Sequence, residues 1–142
     1  ALGACIGAVV GLVAITPAAG FVGLGPSLTI GFVSALVSRL ALYFKNRSSV
    51  DDTLDVFPCH GVGGISGMLL TAVFATEGGL ITGSPTLFIA HSLALVGILI
   101  FCFCASYTLF WITSLITPLR VNADEEEQGL DLSQHAESLS AN

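Results

Sequence analysis

One histidine, His60, stands inside an apolar, glycine-rich stretch, DDTLDVFPCHGVGGISGMLLT at positions 51–71, whose entrance carries Asp51, Asp52 and Asp55. An ionisable group within a long apolar segment must be neutral, paired, or aimed at a water-lined path. Burial disfavours the imidazolium, and a neutral ring both accepts and donates one hydrogen bond. Such a ring can relay a proton. On a helix, Val56, Phe57, Gly64, Gly67 and Thr71 share its face, so two glycines beside it leave room for a small ligand. The bland reading stays open: the histidine bonds a neighbouring carbonyl and the glycines serve packing. Gly63 with Gly67, and Gly7 with Gly11, have the GxxxG spacing of closely approaching membrane helices.

Asp51 and Asp52 read as caps, because a carboxylate there accepts bonds from free N–H groups and suits the positive helix end. Asp55, one turn further in, braces the helix mouth or tunes the inner end of a pore. Val56 and Phe57 form an apolar constriction below His60 or simply pack. Other chemistry lacks support. The GxGxxxG of Gly61, Gly63 and Gly67 has no preceding strand for a dinucleotide turn, and Ser66 sits in no nucleophile elbow. No enzyme is expected, and neither cofactor nor metal: Cys5, Cys59, Cys102 and Cys104 lie in apolar stretches as structural thiols, without zinc or disulfide spacing.

The elements that must position His60 are helices in a membrane. The chain has 142 residues, 54% hydrophobic and 10% charged, with 16 glycines and a mean hydropathy of +0.89. That excludes an ordinary soluble domain. Four Lys and Arg cannot make a nucleic-acid footprint. The expected class is all-α, a polytopic transmembrane bundle. It comprises four spans over about 1–19, 27–44, 53–76 and 86–118 within a 1–120 bundle, and an acidic tail over 121–142. Pro17 predicts a kink or helix end near Thr16–Gly20, where Thr16 can rebond loosened carbonyls. Gly20–Pro26 and Glu77–Pro85 read as turns. The last span, some 33 residues or about 50 Å, exceeds a bilayer and must tilt or project, like a strap across the other helices. His91, near its outer end, reads as an interface residue. Arg39, Lys45 and Arg47 flank one loop and Arg120 follows the last span, which places that side, with the C-terminus, in the cytoplasm. The tail has few core-forming residues, and its end is expected to be disordered.

DDTLDVFPCHGVGG also resembles the D-D-x-x-D-x-F-x-x-H-G-V-x-G signature that opens the tenth helix of the ammonium transporter family (Amt/Mep/Rh). ITPAAGFV at 15–22 resembles its eighth-helix motif, and LRV at 119–121, an acidic run and GLD at 129–131 follow in family order, closer to the Amt branch. The resemblance implies helices eight to eleven of an eleven-helix cell-membrane transporter that forms homotrimers in contact with membrane lipid. Ammonium would lose a proton and ammonia would cross an apolar channel beside two histidines. His60 matches the second, with Val56, Phe57, Gly64 and Thr16 as pore candidates. The first histidine and the outer recruiting site belong to upstream helices. Leu130 and its neighbours would dock on the inner face, where a PII-type signalling protein can touch. The tail departs from the pattern, reading His135, Ala136, Glu137 in place of H-G-E. An ammonium-sensing membrane receptor without net transport is the alternative.

Overall fold

The computed structural model describes residues 2–137, which fall into two units divided between residues 98 and 99. All regular structure among the described residues is helical. In the first unit, α1 (Leu2–Ile15), α2 (Leu24–Lys45) and α3 (Gly63–Phe74) pack pairwise, and α3 is preceded by one π-helical segment, Phe57–Val62. α4 (Thr86–Ser114) begins in this unit and runs into the second. The second unit also holds α5 (Ala123–Gln128) and α6 (Leu130–His135).

Small side chains let the first three helices approach closely. Val10, Ala14 and Ala18 of the first strand of chain, Ile30, Ser34 and Ser38 of α2, and Thr71 and Ala72 of α3 are all buried. Packing at short range replaces the usual aqueous hydrophobic drive where both helix and lipid are apolar. Gly67 is the tightest point: a Cβ there would stand 2.7 Å from the Ala14 Cα. At the opposite end of α3, Thr76 donates its N–H to the Phe21 carbonyl at 2.9 Å and its hydroxyl at 3.1 Å. That carbonyl belongs to the turn between α1 and α2, where Gly20 takes a φ of 85° that a side chain would strain.

Several boundaries differ from expectation. Three helical stretches, Leu24–Lys45, Phe57–Phe74 and Thr86–Ser114, are long and apolar enough to cross a membrane, whereas Gly3–Ala18 is shorter. α1 ends at Ile15 in a 3-10 turn at Thr16–Ala18, and the Thr16 hydroxyl bonds the Leu12 carbonyl at 2.9 Å. α2 starts three residues before the expected Ser27, because Pro26 in a first turn forfeits no helical N–H bond. The third span begins at Phe57 instead of residue 53, for reasons given below. α4 stops at Ser114: Pro118 disfavours helical geometry at Thr117, and residues 115–117 close in turns onto Ile112 and Thr113. Its 29 residues span about 44 Å.

The tail carries two short helices, α5 and α6. Asn122 and Glu125 form a reciprocal capping box that starts α5, and the Ser133 hydroxyl of α6 bonds the Glu125 carbonyl at 3.2 Å. Arg120 pairs with Glu126 at 2.5 Å. Hydrogen bonding and the Arg120 charge hold the Glu126 carboxyl below its ordinary range. The disorder expected at the chain's end falls on residues 138–142, outside the described residues.

Candidate functional site

His60 is delivered by a reversal of the chain. Lys45, the last residue of α2, places its Nζ 2.6 Å from Asp55 Oδ1 and donates to the Asp52 carbonyl at 2.9 Å. Asp55 adopts a φ of 55°, a left-handed conformation that only Asp and Asn among larger residues visit readily. Both oxygens of Asp52 then cap the helix, Oδ1 accepting from Val56 N–H at 2.8 Å and Oδ2 from Phe57 N–H at 2.9 Å. The bond from Phe57, then that from Val56, holds this carboxyl below 3.8, and the Lys45 charge adds to the effect. Asp51 takes a different bond, from the Thr53 hydroxyl at 3.4 Å. This reversal occupies the four residues expected to open the span.

From Phe57 to Val62 the helix is wound as a π turn. Pro58 has no N–H to give, and the wider turn accommodates an extra residue. Its carbonyl is met from α2 by the buried Ser38 hydroxyl at 2.7 Å, while Cys59 N–H bonds Asp55 at 3.0 Å. The Phe57 ring lies over Gly61, where a Cβ would come within 2.9 Å of it. The turn is thereby held at both ends and from the side.

The face predicted from ordinary helical spacing divides here. Gly63, Gly67 and Thr71 are buried, the two glycines against α1, with Val10 Cγ1 3.3 Å from where a Gly63 Cβ would be. His60 is exposed together with Val56, 51% accessible, and Phe57, 61% accessible. Its imidazole makes no hydrogen bond among the described residues. The extra residue in the turn rotates His60 away from the packed stripe, so the room expected at Gly67 is filled by α1 backbone. Gly64 is partly buried and has open space where a Cβ would stand. Thr16 is exposed. The geometry therefore puts Val56, Phe57 and His60 on one uncovered stretch and gives Asp52 and Asp55 to the mouth. Ser38 and Lys45 escaped the sequence reading; a serine in an apolar helix and a terminal lysine carry no spacing that points to a turn 10 or more residues away.

At the other end of the first unit, a cavity of 460 Å³ is lined by Pro17, Phe21, Thr71, Glu77, Leu87 and His91 among others. His91 is partly buried, its Nδ1 3.0 Å from the Met68 carbonyl oxygen, so it is tied to α3.

The Ammonium Transporter Family model matches residues 1–139. The chain belongs to the ammonium transporter family. A protein of Methanothermobacter thermautotrophicus is 42% identical over 96% of this chain and 36% of its own length. Ammonium transporter Amt1 of Archaeoglobus fulgidus is 37% identical and an ammonium transporter of Bacillus subtilis 40% identical, each over the same 96% and 36% shares. The chain thus spans about a third of the length of the curated relatives it matches. Within this ammonium transporter family member, His60 is the histidine of the apolar stretch Phe57–Phe74, and it is turned away from the chain's own packed core.

Proposed function

We propose that this chain supplies one wall of an ammonium-conducting pore in a multi-pass membrane protein, with His60 on that wall. The observation that carries the reading is the uncovered imidazole in a π turn of an apolar helix. A ring so placed is tolerated in a bilayer only if it meets a polar partner or a hydrated path. A neutral imidazole would orient ammonia through one ring nitrogen and pass a proton through the other. Val56 and Phe57, exposed beside it, would keep bulk water out, and Gly64 and Thr16 would border the path. Asp51, Asp52 and Asp55 would shape the mouth. The relatives' names, all transporters, support a non-enzymatic role and ammonium as the substrate. Parity of crossings supports one side for the 46–50 loop and the tail, and the basic residues make that side cytoplasmic. A homotrimer and a PII-type partner at the tail complete the reading.

The test is ammonium-dependent current across liposomes holding the full-length protein, with and without His60→Ala. Removing a relay group is expected to reduce current by about 10²-fold or more with the protein folded. Undiminished current would make His60 a packing residue.

A further inference from the structure

We infer that Lys45 is a positioning residue for His60: it clamps the chain reversal from which the π turn is wound, and so sets where the imidazole stands. The functional half of this inference rests on the pore reading above; the structural half does not.

The argument starts from what the reversal lacks. Residues 46–55 contain no regular element, and Asp55 is held in a backbone conformation that an L side chain resists. Such a residue persists only where its surroundings over-determine it. Lys45 provides that restraint from two directions, with its ammonium on the Asp55 carboxylate at 2.6 Å and on the Asp52 carbonyl at 2.9 Å. The two side chains are 15% and 21% accessible, so this pair is sheltered more than a surface bridge. Each clamped residue grips the helix start. Asp52 caps Val56 and Phe57, and the Asp55 carbonyl receives the Cys59 N–H at 3.0 Å. From Lys45 to His60 the path is therefore one ion pair and one backbone bond to Cys59, next to the histidine in sequence.

A further restraint on the turn, from the side, is Ser38 on the Pro58 carbonyl. Ser38 and Lys45 both belong to α2, two turns apart, so α2 acts as a template for the turn that carries His60. Without Lys45, one edge of that template is gone. A reacting group displaced by about 1 Å loses on the order of 10²-fold in rate.

Cys59 supplies a reporter that does not depend on transport. It is buried, 6% accessible, within the π turn. In the full-length protein with its other cysteines replaced, a water-soluble maleimide should label Cys59 at least several-fold faster in Lys45→Met than in the parent. Ammonium current should fall about 10-fold or more in the same variant. Lys45→Arg, which keeps a cation at that site, should bring both back to within about two-fold of the parent. Asp55→Asn, which keeps a side chain suited to left-handed backbone and removes only the charge, should raise labelling to an intermediate level; it also serves if Lys45→Met does not fold. Unchanged labelling in a folded Lys45→Met or in Asp55→Asn overturns the clamp. Faster labelling with undiminished current overturns the positioning role. Faster labelling of Lys45→Met than of the parent, where the parent itself carries no ammonium current, upholds the clamp and defeats the pore reading alone.

Discussion

At the scale of single residues, the glycines of the central helix divide into two kinds. Gly67 admits the backbone of α1, since a Cβ there would stand 2.7 Å from Ala14 Cα, whereas a Cβ at Gly64 would meet nothing within 4 Å. Gly67→Leu is therefore expected to destabilise the folded protein by about 1–3 kcal/mol through overpacking, read as a lower thermal midpoint in detergent. Gly64→Ala should leave that midpoint unchanged while lowering ammonium current if the position borders the path. Equal midpoints for the two variants would contradict the close approach. Two GxxxG pairs were legible in the sequence as packing surfaces, and the structure distinguishes their members. Gly63 and Gly67 face α1; Gly11 lies 3.9 Å from where a Gly31 Cβ would be; Gly7 has open space. Spacing alone carries no information about which neighbour fills the gap.

At the scale of elements, one carboxylate caps the start of the third span. Asp52 titrates below 3.8 because Phe57 and Val56 N–H groups bond its ionised form, so the folded state binds fewer protons at low pH than the unfolded chain does. Its contribution is then fully present above 3.8 and fades as pH falls through the lower, folded-state value. Thermal unfolding of the full-length protein and of Asp52→Ala from pH 7 down to pH 3 checks this. The parent should melt higher near neutrality, and the gap should narrow below 3.8; a gap independent of pH would assign the loss to something other than the cap. The sequence pointed to capping by both Asp51 and Asp52. It did not reveal the π turn, because Pro58 is equally compatible with an ordinary first turn and the deciding bond comes from Ser38, 20 residues away.

At the scale of the whole molecule, the helical class and membrane character were readable from apolar run lengths, because a bilayer fixes how long such runs must be. Helix ends were less readable: Pro26 lies inside α2 and Pro118 beyond α4, and only local bonding separates those outcomes. The site was half legible. His60 stood out by its chemistry, but its orientation depends on the inserted residue of the π turn, which no regular periodicity anticipates. Topology gives a prediction at this scale. Cysteines introduced at Ser48 and at Ser133 in a cysteine-free full-length protein should react with an impermeant maleimide from the same side of the membrane, and one at Gly79 from the other. Labelling of Ser48→Cys and Ser133→Cys from opposite sides would remove the parity on which the proposed cytoplasmic placement of the tail rests.

The widened turn also separates two sets of obligations along a single helix. Residues 63–74 answer to α1 and α2, with Ala14 and Val10 of α1 against Gly67 and Gly63, while Val56, Phe57 and His60 are rotated off that stripe. Compensating changes should therefore sort by where the original lesion lies. A defect at Gly67 would be repaired by trimming α1, and a defect at Phe57 by changes outside α1, so the two halves of one continuous helix are free to change independently.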